Sequence, residues 1–317
     1  MDRRTFLGLG VAALPGLAGV RAASRRAPLA VATADTEAHV VVVSLATGRV
    51  VQRVHTVEDP RSIESGPGGN VVVAHSAVGA VSLLTMHPGR VRRVLRGLGA
   101  PRYTAITPDG AHAFVTDGDR GELVVVDLRR ARIVGGVEVG AGARHVSLNP
   151  SGRTVWAALG SSATAIAVVD VSDPRRPRLR RRVHPPFLAH DVAFSPSGRR
   201  VWVTAGRVPR VALLAAGDAG RPVVLDADAA PQHVAFGHGV AFVASGDGGS
   251  LRTHDLSDGR LRHAVRVPFG SYNVTAGAGA VATPSLASGR LTVLDRAGDV
   301  RRQMKVARAV HDVCMVD

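Results

Sequence analysis

Residues 144–173 read RHVSLNPSGRTVWAALGSSATAIAVVDVSD. A short run, RHVSL, stops at an Asn-Pro-Ser-Gly turn, a second run follows as TVWAAL at 154–159, and a third, IAVVD at 166–170, ends on an aspartate before the next turn. Small or polar residues alternate with larger apolar ones, which is the two-residue period of a strand, and the Pro, Ser and Gly between the runs supply tight turns. An arginine-studded fourth run completes the unit, as RIVGGVEVG at 132–140 does for the preceding copy.

The start of this unit recurs along the chain. It appears as PRSIESGPGG at 60–69, PRYTAITPDG at 101–110, ARHVSLNPSG at 143–152, AHDVAFSPSG at 189–198, PQHVAFGHG at 231–239 and SYNVTAGAGA at 271–280, and VHDVCMVD closes the chain at 310–317. The third residues of these copies are spaced by 41, 42, 46, 42, 40 and 39. Four short strands repeating at such a period predict propeller blades, whose radial packing leaves only short, protected sheet edges. Residues 29–59 supply three strands without a first, and 310–317 supply a first strand without the others. Joined, they make one blade, and the six complete repeats bring the total to seven. The expected fold is therefore all-β: a seven-bladed propeller of four antiparallel strands per blade over 29–317, closed by its C-terminal strand.

These copies resemble the YVTN-type repeat of bacterial seven-bladed propellers, the YncE-like group. That group sits within a wider set that includes the quinohaem amine dehydrogenase heavy chain and the haem d1 nitrite reductase propeller. The resemblance spans nearly all of 29–317 and implies the fold far more strongly than any activity. The aspartate closing the third strand is present as Asp127, Asp170, Asp255 and Asp295 and missing near Val43, Leu84 and Ala215, so those blades lack one turn-fixing group.

Composition agrees with a β-rich globular chain. Of 317 residues 45% are apolar but only 3% aromatic, so Val, Ala and Leu must fill the core, and 36 Gly with 18 Pro punctuate it. The single cysteine, Cys314, rules out internal disulfides, zinc fingers and covalent c-type haem. All but one of the 40 basic residues are arginine, and the formal charge is +15. The arginines are scattered over turns and strand ends without a basic helix or an RNP-like aromatic set, which argues against nucleic acid.

The segment MDRRTFLGLGVAALPGLAGVRA at 1–22 resembles a twin-arginine export signal. It pairs Arg3 and Arg4 ahead of a weakly apolar, Gly-rich run and ends in small residues; 23–28 then form a linker. The expectation is a periplasmic or extracellular monomer with no membrane span once the signal is removed. Removal takes away three arginines and one aspartate and leaves +13, so the basic excess belongs to the mature domain.

In a propeller the first strand of each blade lines the central channel, and the turn entering it opens at one mouth. Residues two and three of each copy should surround that mouth. The candidate ligand-binding set is Arg61, Arg102, Tyr103, Arg144, His145, His190, Asp191, His233, His311 and Asp312. Arg61, Arg102 and Arg144 form an arc suited to a carboxylate or phosphate, since guanidinium forks grip such groups with two bonds. The histidines, with Asp191 and Asp312, are the donor types of a metal centre or an acid–base pair. No close-spaced motif such as HExxH supports metal, so no metal ligand, catalytic residue or cofactor is assigned. Deeper in the same strands, Glu64 and Cys314 take equivalent places on adjacent blades, and a buried Glu there is a candidate base.

Trp156 and Trp202 read as packing between blades, and His39, His55, His75, His87, His112, His184, His254 and His263 read as surface residues. The leading function is a binding or scaffold protein that takes a small anionic ligand or a protein partner at the channel mouth. The alternative is an exported enzyme, metal-dependent and lactonase- or lyase-like, or an oxidoreductase-associated subunit. The last is disfavoured by the missing haem-attachment cysteines.

Overall fold

The computed structural model describes residues 27–217 and 221–316. The segment at 1–22 expected to be an export signal, and residues 23–26 of the expected linker, lie outside the described residues. The rest forms seven four-stranded antiparallel sheets in a ring, with one three-residue 3-10 turn, Pro67–Gly69, and no α-helix among the described residues. No helix among them is long and apolar enough to cross a membrane.

Six sheets use four consecutive strands, and their first strands are Pro60–Gly66, Pro101–Ile106, Ala143–Leu148, Val192–Phe194, His233–Gly237 and Thr275–Gly277. The seventh sheet closes the ring. Its first strand, Val310–Val316, pairs with Leu29–Ala34 in a register that sets Cys314 opposite Val31. Head and tail thus share one sheet, as the repeat arithmetic requires.

Second and third strands are buried on both faces, which is why they read as runs of Val and Ala: HVVVVS at His39–Ser44 and NVVVAH at Asn70–His75 are each buried at five of six positions. Their side chains interdigitate between neighbouring sheets. Trp156 meets Phe194 of the next blade edge-on at 5.8 Å, and Trp202 meets Phe236 at 5.9 Å. Both tryptophans are interblade packing. Fourth strands face solvent on alternate residues, as RLRRRV does at Arg178–Val183, and carry much of the arginine.

The third-strand aspartates fix turns. Asp170 accepts the Ser172 amide, Asp255 that of Ser257 and Asp295 that of Ala297, and each also holds an arginine of its fourth strand, namely Arg180, Arg262 or Arg301. Where the aspartate is missing after Val43, Ser44 takes over and accepts the Thr47 amide.

Two histidines read as surface are buried instead. His75 pairs with the Glu58 carbonyl and the Ser82 hydroxyl, and His254 with the Gly259 carbonyl. Both sit on inner strands of their sheets, and burial lowers both, His75 to about 4.

Candidate metal centre at the channel mouth

Register slips at the start of several first strands bring polar residues to the mouth. Register slips between Ala143 and Val146, so Arg144 and His145 oppose a single residue; the same slip places Arg102 and Tyr103 in a bulge between Pro101 and Thr104. His190 and Asp191 both bond Thr204, and His311 and Asp312 fall in the slip opposite Ala32–Ala34. A bulge breaks strict alternation and re-aims side chains. A threonine of the second strand fastens several of these bulges: Thr116 accepts the Tyr103 amide, Thr204 that of Asp191 and Thr33 that of Asp312.

The result is two tiers. Arg61, Arg144, His190, Gln232 and His311 line an open bowl at the mouth. Ser62, Asp191, Asn273 and Asp312 line the channel beneath it, with Glu64 deeper among them. Tyr103 and His233 border both spaces and form the floor between them.

His145, His190 and His233 converge on this floor. One ring nitrogen from each lies within 4.8 Å of the other two, and the ring centroids are 4.4, 4.7 and 5.6 Å apart. His190 directs Nδ1 at the Ser161 carbonyl, 3.1 Å away, and His233 directs Nδ1 at Asp191 Oδ2, 3.3 Å away. A carbonyl or carboxylate on Nδ1 fixes the proton there and leaves Nε2 as a lone-pair donor, the arrangement of metal-bound imidazoles. His145 is fully buried, and neither ring nitrogen makes a hydrogen bond of good geometry; the His190 backbone bears on the ring only weakly, as the smallest of the influences on it. His190 approaches closely because Gly206 has no side chain: a Cβ there would stand 2.7 Å from the His190 Cβ.

The electrostatics favour neutral rings at His145 and His190. Burial, then the charges of His190 and His233, holds His145 well below the usual imidazole range, and burial followed by His233 brings His190 down to about 4. Neutral imidazoles are the form a cation binds.

The remaining predicted residues divide. His311 lines the bowl but is not one of the three; its Nδ1 bonds the Arg61 carbonyl at 2.7 Å, and burial lowers it to about 3. The aspartates of the two His-Asp pairs join blades. Asp312 accepts the amides of Ile63 and Val313, and Asp191 those of Val192 and Val234. The arginine arc does not face one space: Arg61 and Arg144 line the bowl, Arg102 lines an outer cleft with Asp59 and Asp119 that Arg61 also borders, Arg61 pairs with Asp35 at 2.8 Å, and Arg144 lies over the Tyr103 ring at 5.8 Å. Glu64 is held largely protonated by burial and then by Asp312, at about 8. Cys314 is buried, and burial pushes its thiol well up.

No protein-family model matches the chain, and no curated protein matches it. Solved structures do match in fold. The chain is similar to hydrazine synthase of Kuenenia stuttgartiensis at 18% identity, covering 84% of this chain and 91% of that one, with a TM-score of 0.73. A functionally unknown protein from Desulfotomaculum acetoxidans aligns at 13% identity over 90% and 98% of the two chains, TM-score 0.79. Apo AztD from Citrobacter koseri aligns at 12% over 91% and 97%, TM-score 0.69. At these identities the likeness defines the class, a seven-bladed β-propeller, and nothing narrower.

Proposed function

We propose that this propeller is a binding protein that holds one divalent transition-metal ion, of the zinc or copper type, on His145, His190 and His233 at the channel mouth. The observation that carries this reading is the fully buried His145, with both ring nitrogens unpartnered beside two imidazoles whose outer nitrogens are already engaged. A buried polar atom without a partner costs about 1–3 kcal/mol, so such a group calls for a ligand to explain it. Nitrogen donors suit zinc, copper and nickel, whereas calcium and magnesium take oxygen. Tetrahedral bonds of roughly 2.0–2.1 Å set donors about 3.3 Å apart, so the rings close inward as the ion enters.

Equilibrium dialysis against zinc tests the reading. One equivalent per chain is expected, and His145→Ala, His190→Ala or His233→Ala should each abolish it. Stoichiometry that survives all three substitutions refutes the centre.

A second reading, an anionic ligand in the bowl, is favoured by Arg144, whose Nε is buried without a partner. Citrate or phosphate titrated by calorimetry should bind the native chain and not Arg144→Ala. The repeat resemblance supports membership of the YVTN-repeat, YncE-like group, and the twin-arginine segment supports export of the folded protein, a route compatible with loading before transport.

A further inference from the structure

We propose that Tyr103 is the fourth protein ligand of this centre, making it a closed three-histidine, one-tyrosinate site suited to an ion that accepts phenolate oxygen, above all copper(II). The inference rests on the three-histidine reading and deepens it. Tyr103 Oη lies 3.4 Å from His233 Nε2. Two donors on one ion with bonds of roughly 2.0–2.1 Å are about 2.9 Å apart at the right angle of a tetragonal site and about 3.3 Å apart at the tetrahedral angle, so this pair stands near the spacing of shared ligands. With the His233 Nδ1 turned to Asp191, its Nε2 accepts from the phenol, and the hydroxyl occupies the side of that nitrogen an ion must approach.

The placement is built by the fold. Tyr103 is delivered by the bulge after Pro101, its amide fastened by Thr116, and its ring packs 4.2 Å from that of His145 and 5.5 Å from that of His233. It is one of only two tyrosines in the chain. Arg144 lies against the same ring, and no carboxylate forms an ion pair with it among the described residues. Burial raises the Tyr103 phenol well above its ordinary range and the Arg144 guanidinium works against that, so the phenolate forms only with the charge of the ion beside it. On coordination the O–H bond gives way to an O–metal bond, and the proton leaves to solvent through the bowl. The outcome is four protein ligands, the pattern of sites that hold an ion, where catalytic sites keep a position open.

Copper(II) alone is the probe. The full chain should bind one equivalent and show a phenolate-to-copper charge-transfer band in the visible. Tyr103→Phe should keep the copper and lose the band, while Tyr272→Phe should keep both. Resonance Raman excited in the band should show phenolate ring modes from the native chain, which makes the assignment independent of how the variant folds. Copper that binds in a His145-dependent way without such a band, or a band that survives Tyr103→Phe, overturns the tyrosinate and leaves the three histidines standing. Absence of bound copper overturns both.

Discussion

Removing residues 310–317 takes the first strand from the sheet that closes the ring, and the cost follows from what that strand buries. Val310, Val313, Cys314 and Val316 are all buried. At about 1.5–3 kcal/mol for each such side chain, four contribute roughly 6–12 kcal/mol. Domain stability as a whole is about 5–15 kcal/mol. Lost with them are the Asp312 bond to the Ile63 amide at 3.0 Å and the Ser65 hydroxyl bond to the Met315 carbonyl at 2.7 Å, both tying the strand to the next blade. The truncated chain should therefore have no cooperative unfolding transition. Urea denaturation followed by tryptophan fluorescence is a suitable assay, because Trp156 and Trp202 sit in sheets other than the truncated one and report on the ring as a whole. Asp312→Ala should give a graded effect of about 1–3 kcal/mol by leaving the Ile63 amide buried and unpaired. A truncated chain that unfolds in a single transition within about 1 kcal/mol of the full one would refute closure by the tail.

Asp191→Asn leaves one acceptor oxygen where Asp191 Oδ1 accepts from the Val192 amide and Oδ2 from that of Val234, so one of the two amides loses its partner, and the charge beside His233 is withdrawn. Zinc affinity should fall roughly 10–100-fold, with about 1–3 kcal/mol of stability lost to the unpaired amide, and unchanged affinity in dialysis would remove Asp191 from the centre. Glu64 ordinarily titrates near 4.5 and is raised to about 8 in the folded chain, so the native state holds a proton that the unfolded state releases across that window. Its contribution is fully present at low pH and declines as pH rises, by up to about 1.4 kcal/mol per pH unit. Glu64→Gln should flatten this part of the stability–pH curve, measured by urea titration; identical slopes for the two chains would contradict it. Replacing Arg3 and Arg4 together by lysine should keep the protein in the cytoplasm of an expressing bacterium, and unaltered appearance in the periplasmic fraction would discount the signal.

The fold was legible because a propeller repeats its turn chemistry. The recurring first-strand segment and the half-blades at 29–59 and 310–317 specify number and closure by counting alone. Which mouth residues meet was only partly legible. Sequence places His145, His190 and His233 on one rim, but the approach of His145 and His190 to His233 depends on bulges that suspend the alternation of the strand, and a bulge is a property of pairing between strands. One signal for it does lie in the sequence: Thr33, Thr116 and Thr204 recur at matching second-strand positions and fasten the bulges. The arginine arc shows the converse. Equal positions in the repeat did not give equal environments, because Asp35 captures Arg61 and the cleft of Asp59 and Asp119 draws off Arg102. His75 and His254 were misread because the Glu58 carbonyl and the Ser82 hydroxyl take both ring nitrogens of His75 and the Gly259 carbonyl takes Nδ1 of His254, and such partners are set by the fold of each sheet.

The central claim, an ion on three convergent imidazoles, is tested most directly by crystals of the full chain grown with zinc and measured on either side of the zinc absorption edge. A single anomalous peak bonded to His145, His190 and His233 is the predicted result. A map with no peak there, or with zinc only on surface side chains, would contradict it.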